Sequence, residues 1–145
     1  GNDDNIIADL LSTYRFPVNG ESVEINFKGG LLGHWAVWTQ KAVTLMQEIK
    51  EYRKHKTNEK ADELLSRNIE VTDANAAFFD PAHHFHGCIP GIHEVLRRQG
   101  LMKGIWCLNP NEKLSHGQKE EIDRIYREYP HLNDDVFVQE FLKKN

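Results

Sequence analysis

Two long amphipathic stretches, separated only by His55, Lys56 and Thr57, constrain this chain more than any other feature. Across 37–54, Trp38, Ala42, Leu45, Ile49 and Tyr52 recur at helical spacing and predict one buried stripe. Across 58–79 the stripe reads Ala61, Leu64, Leu65, Ile69, Ala76 and Phe79, with Thr57 as N-cap and Pro81 as the stop. Pro90 suits the first turn of a further helix, where a missing N–H costs nothing, and Ile92, Val95 and Leu96 face inward. Gly100 followed by Leu101 is the signature of a Schellman stop. Ser115-x-x-Gln118 reads as a capping box for a helix running to Tyr129 and halted by Pro130. Asn133 caps a last helix over 134–142. Ile6, Ile7, Leu10 and Leu11 predict a short helix over 4–14, with Asp3 and Asp4 at cap positions that suit the helix dipole.

The β signal is confined to the first part of the chain. Asn19-Gly20 is a strong type I′ turn signal, because both central residues need positive φ, and it predicts a hairpin over 15–27. Val23, Ile25 and Phe27 alternate with polar residues, and Pro17 marks the first strand as an edge. The stretch Gly29-Gly30-Leu31-Leu32-Gly33-His34-Trp35-Ala36 reads as a short buried strand. Five or six helices against about three short strands cannot build a parallel sheet of their own. The expected fold is mainly α with a small β-hairpin, one domain over 1–145.

Composition narrows the function classes. With 39% hydrophobic and 28% charged residues the chain is an ordinary soluble globular sequence. A net charge of −4 with no basic stripe argues against a nucleic-acid partner. No apolar run approaches the ~20 residues of a membrane span. Cys88 and Cys107 form neither a CxxC pair nor a disulfide framework, so reduced thiols and a cytoplasmic location are expected.

Four stretches, taken in order, carry a family resemblance. They are Gly1-Asn2-Asp3-Asp4, then Gly29 to Trp35, then Cys88-Ile89-Pro90-Gly91-Ile92-His93-Glu94-Val95-Leu96-Arg97-Arg98-Gln99-Gly100-Leu101, then Gly104-Ile105-Trp106-Cys107-Leu108-Asn109-Pro110 with Leu114-Ser115. The series resembles the C-terminal half of the dihydrodipicolinate synthase/N-acetylneuraminate lyase superfamily. It is similar to that family's turn after the seventh barrel strand, its eighth strand, its late helix and the segment leading to its final helix.

The resemblance implies the last units of a (β/α)8 barrel over 1–56, with the hairpin 15–27 inserted, and a C-terminal helical region over 57–145. A whole barrel takes about 250 residues, and the chain has 145. It further implies a class I aldolase-type lyase that holds pyruvate as a lysine Schiff base. The family's lysine, proton-relaying tyrosine and carboxylate loop would all precede Gly1. By resemblance, Gly1, Asp3, Asp4, Gly33 and His34 would contact substrate, with no catalytic residue, no metal and no cofactor in this chain. The implied substrate is a small 2-oxo acid, bound once an N-terminal half completes the barrel. The implied partner is that half-barrel or further copies of this chain.

Other readings stay open beside it. Asp3 and Asp4 are equally a solvated cap pair, and His34 equally a partly buried histidine satisfied by a backbone group. The loop Pro81-Ala82-His83-His84-Phe85-His86-Gly87-Cys88 offers zinc-type donors, but its spacing matches no standard zinc module. A Cys88–His86 nucleophilic pair has no orienting third group in view. Lys28 is a conceivable replacement Schiff-base lysine. Trp38, Trp106 and Phe78-Phe79 read as core, and 50–56 as a solvated helix end. The alternatives to a lyase fragment are a non-catalytic helical module that oligomerises and a metal-binding domain built on 83–88.

Overall fold

The computed structural model describes residues 5–144. Among them are helices α1 Ile6–Leu11, α2 Thr39–Lys54, α3 Asn58–Phe79, α4 Cys88–Arg98, α5 Gln118–Glu128 and α6 Asp135–Lys144. Short 3₁₀ turns occupy Gly33–Ala36, Pro81–His83 and Pro130–Leu132, and β1 Tyr14–Val18 pairs with β2 Glu21–Ile25. The fold is mainly helical with one antiparallel hairpin, as the periodicities predict.

The long helix α3 is the centre of the packing. Thr57 caps it, its Oγ1 accepting from the Lys60 N–H at 3.3 Å. Its buried face is Leu64, Asn68, Val71, Ala74, Asn75, Ala77 and Phe78. This corrects the stripe read from the sequence, since Leu65 and Ile69 are 46% and 68% exposed. The true face carries two asparagines, which a search for apolar periodicity discards. Against it lie α1, α4, α5 and the turn at Gly33–Ala36. Ile7, Ile49, Leu64, Phe78, Val95, Ile122 and Ile125 form the driest part of the core. Burial of such side chains stabilises by roughly 1.5–3 kcal/mol each.

Helix ends follow their local chemistry. Gly100 has φ +80°, with Leu101 N–H donating to Leu96 O at 2.9 Å and Gly100 N–H to Arg97 O at 3.1 Å. That pair of bonds is the Schellman motif. Half of the predicted capping box forms, because Ser115 N–H donates to Gln118 Oε1 at 3.0 Å. The other half does not, because Ser115 Oγ donates to Asp80 instead. Asn133 Oδ1 accepts from Asp135 N–H at 2.6 Å at the start of α6.

The hairpin forms on the predicted turn, with φ of 51° at Asn19 and 84° at Gly20. Its register pairs Tyr14 with Ile25, Phe16 with Val23 and Val18 with Glu21, so the apolar side chains share one face. The polar face holds the Arg15–Glu24 ion pair. The apolar face is not buried: Phe16, Val18, Val23, Ile25 and Phe27 are 40–50% exposed.

Two further expectations fail. The stretch 29–36 is not a strand: 28–32 has no regular structure and Gly33–Ala36 is a 3₁₀ turn. A strand needs a ladder partner, and β1 and β2 pair only with each other. Trp106, read as core, is 67% exposed. No described helix is long and apolar enough to cross a membrane. The barrel arrangement implied by resemblance is not visible in this two-stranded sheet.

Candidate functional site

Of the residues singled out for substrate contact, Gly1, Asp3 and Asp4 lie outside the described residues. Gly33 opens a 3₁₀ turn pressed against Phe79, where an added Cβ would fall 2.1 Å from the ring carbon Cζ. That close approach is a packing reason for glycine.

His34 is 2% exposed. Trp35, Trp38 and Phe78 surround its ring edge-on, with centroids 6.3, 6.3 and 5.6 Å away. Its backbone N–H donates to Asn75 Oδ1 at 3.2 Å. Burial pushes the imidazole down to about 3, against an opposing hydrogen bond from the Asn75 side chain. The ring is therefore neutral near pH 7. Its Nδ1 is buried without a hydrogen-bond partner among the described residues.

A cavity of about 240 Å³ opens beside this ring. His34 and Trp35 line it from the 3₁₀ turn, Lys41, Leu45 and Glu48 from α2, Arg67 and Val71 from α3, and His131 and Leu132 from the turn after α5. Its charges are mostly matched. Glu48 Oε2 takes Arg67 and Lys60, each at 3.0 Å, and His131 Nε2 lies 2.7 Å from Glu70. The Lys41 ammonium has no ion-pair partner among the described residues.

A second polar cluster sits under the histidine-rich loop. Asp80, 4% exposed, takes the C-cap position of α3 at φ 57°. Its carboxylate meets His83 Nδ1 at 2.6 Å, Ser115 Oγ at 2.5 Å and Gly87 N–H at 3.0 Å. Burial opposes the charged form, but those three hydrogen bonds outweigh it and hold the carboxyl below its usual range. The carboxylate stands between the serine and the histidine. A nucleophile relay needs the histidine in the middle, so this is a structural staple. Gln118 completes it, its Nε2 donating to Gly87 O at 3.0 Å and to Ala77 O and Phe78 O at 3.3 Å.

The loop itself does not assemble a metal site. His84 and His86 are exposed, and among the described residues no group of three or more His, Cys, Asp or Glu is placed to hold a metal ion. Burial pushes the Cys88 thiol up. Burial and then Glu112 push Cys107 up, and its Sγ lies 3.9 Å from His93 Nδ1. Neither thiol is set up as a thiolate nucleophile.

A largely apolar groove of about 430 Å³ runs between α1 and the chain from Phe27 to Leu31, lined by Ile6, Leu10, Phe27, Gly29, Gly30 and Leu31 with one carboxylate, Asp9. Residues 28–31 make no hydrogen bond to any other described residue. Lys28 is exposed beside this stretch. Comparison with protein-family models, curated proteins and solved structures returns no match.

Asn68, Asn75 and Asp80 are the polar residues that the sequence reading missed, and Gln118 was read only as a local cap. The signal for the first two was present: Leu64, Asn68, Val71, Asn75 and Phe78 recur at helical spacing once amides are admitted to the face.

Proposed function

We propose that this chain is the C-terminal part of a pyruvate-dependent, class I aldolase-type lyase of the dihydrodipicolinate synthase kind. It does not itself supply the Schiff-base lysine and is inactive alone. The observation that carries this reading is the segment 28–31, glycine-rich and without backbone hydrogen bonds among the described residues, lying along a largely apolar groove. It overlaps the start of Gly29–Trp35, the stretch that resembles the family's eighth strand. A strand of a closed barrel takes both ladder partners from its neighbours, and an additional strand laid along 28–31 would satisfy these groups and cover the groove. In this reading the described residues contribute Gly33 and His34 near the substrate end.

Reductive trapping tests it. The protein is incubated with pyruvate and borohydride and weighed by mass spectrometry. The expected result is an unmodified 16.8 kDa chain. A lysine adduct would overturn the reading, with Lys28 the first position to map.

A second reading, a non-catalytic helical module that self-associates, is favoured by the uncovered apolar face of the hairpin. Light scattering separates the two. A stable homo-oligomer with no second polypeptide supports the module, whereas a monomer with no self-association removes it.

A further inference from the structure

We propose that this chain forms a two-fold dimer in which α6 of each copy lays its outward face on the apolar face of the other copy's hairpin. The proposal deepens the self-association reading and rests on it, and it is independent of the lyase chemistry.

The two surfaces are anomalous in complementary ways. Helix α6 buries no side chain, and amides with a carboxylate hold it to the body. Gln139 Nε2 donates to Gln99 O at 2.8 Å, and Asp135 Oδ1 accepts from Gln99 Nε2 at 2.9 Å. With 3.6 residues per turn, Phe137 and Phe141 fall on the side opposite Asp135 and Gln139. They are 53% and 55% exposed, and Val136 is 74% exposed. An amphipathic helix turns its apolar stripe toward a partner, and this one turns it away from its own core. The hairpin has the converse need. Two strands alone are marginal in water and want a helix or a further strand against their apolar face. That face, centred on Phe16, Val23 and Ile25, is open. Helix α6 has ten residues and each strand has five, so the two are about 15 and 17 Å long and match end to end.

The helix and the hairpin stand on one chain but do not cover each other within it. The hairpin base is tied to the last turn of α2, where Arg53 donates to Asn26. The start of α6 is tied to the first turn of α2, where Gln40 N–H donates to Asp134 Oδ2 at 3.0 Å. The helical rise from Gln40 to Arg53 sets these anchors about 20 Å apart. A two-fold axis beside α2, with the two α2 helices antiparallel, brings each α6 to the other copy's hairpin and leaves neither face open. The area suffices. Five hairpin side chains are 40–50% exposed and three on α6 are 53–74% exposed. Each leaves roughly 80–100 Å² to cover, against the 150–250 Å² of a whole aromatic side chain. Two such contacts remove about 1,300 Å² or more, within the range of about 1,200–2,000 Å² for stable interfaces. Charge sets the direction. Glu21 shares the apolar face at the hairpin tip, and Lys143 and Lys144 end α6, all three without an ion-pair partner among the described residues. Laying the end of α6 at the tip puts the cations beside the carboxylate.

The test is sedimentation of the whole chain, alone and in mixtures. The parent should run at twice 16.8 kDa at about 50 μM. Val23→Arg on the hairpin and Phe137→Glu on α6 should each weaken the dimer by about a hundredfold or more and leave monomer. Both side chains are exposed, so neither substitution touches the core. Mixing the two monomeric variants should restore a dimer. One of its contacts is then native, and the other sets the new arginine against the new glutamate. A hairpin-to-hairpin or helix-to-helix dimer behaves differently, because one of the two variants would stay dimeric alone. Ile25→Arg with Val136→Glu is a second pair, so that a fold lost at one position does not decide the matter. A monomeric parent overturns the self-association reading and this proposal together. A dimer that survives substitution on either element overturns this docking and leaves self-association standing. Two pairs of monomeric variants that do not recombine overturn it as well.

Discussion

Asn68 and Asn75 stand two turns apart on one face of α3, and each gives its side-chain oxygen to the first turn of another element. Asn68 Oδ1 accepts from Ile7 N–H at 3.0 Å and Ala8 N–H at 3.3 Å, and Asn75 Oδ1 accepts from His34 N–H at 3.2 Å. The opening N–H groups of a helix have no partner within it. A buried first turn therefore needs an acceptor from outside, and α3 supplies one to α1 and one to the turn at Gly33–Ala36. The two amides fix where α1 and His34 sit against the core.

Replacing Asn68 with Ala should strand two N–H groups of α1, at least one of them buried. The expected cost is about 1–3 kcal/mol of unfolding free energy by urea titration. Ser66→Ala, which removes an exposed hydrogen bond to Asp62 O one turn earlier, should stay within about 0.5 kcal/mol. Equal effects of the two substitutions would show that the Asn68 bonds do not hold α1.

The approach of α4 to α3 depends on Gly91. A Cβ there would lie 2.1 Å from the backbone oxygen of Phe78, which cannot swing away as a side chain could. Gly91→Ala should destabilise by about 1–3 kcal/mol or more through overpacking. Gly29→Ala is the matched control: nothing lies within 4 Å of its Cβ position, so it should be near neutral. A silent Gly91→Ala would mean that the two helices sit farther apart than described.

Most elements were legible because their signals are local. Thr57, the Asn19-Gly20 turn and the Gly100-Leu101 stop act within a few residues, and each forms where the sequence places it. The failures are of a different kind. Whether 29–36 becomes a strand depends on a ladder partner, which no property of those eight residues supplies. The orientation of α3 depends on amides whose partners lie about 40–60 residues away, and a hydrophobicity pattern scores them as solvent-facing. Gln118 was read as one half of a local cap. It forms that half, yet its amide also spans to the carbonyls of Ala77, Phe78 and Gly87, which only the packed structure brings within reach. The cavity beside His34 joins four separate elements and has no sequence signature.

Gln118 carries a prediction of its own. Its amide nitrogen serves three buried or part-buried carbonyls and its oxygen serves Ser115 N–H. Gln118→Ala should cost roughly 2–4 kcal/mol, combining unsatisfied polar groups with a cavity. Gln118→Glu should also destabilise, because a carboxylate accepts but cannot donate to those carbonyls and would stand near Asp80. If Gln118→Glu matches the parent in urea titration at pH 7, the donor role is wrong.

The last prediction concerns His34 and acid. Its ordinary value is 6.5 and its folded value is about 3. Below pH 6.5 the unfolded chain takes up a proton that the native state refuses, so the stability held above that value falls as pH drops toward 3. The slope is about 1.4 kcal/mol per pH unit once well below 6.5. The carboxyls of Asp73, Asp80 and Glu94 are all held low and do not lose their contribution until more acid conditions. Across pH 7.5 to 5 His34 should account for a loss of about 2 kcal/mol, read as the difference between the parent and a variant that lacks it. His34→Gln, which cannot take up that proton, should flatten the slope even if it is less stable at pH 7.5. Urea titrations at pH 7.5, 6 and 5 decide it. The same slope in both proteins would mean that His34 is protonated in the native state.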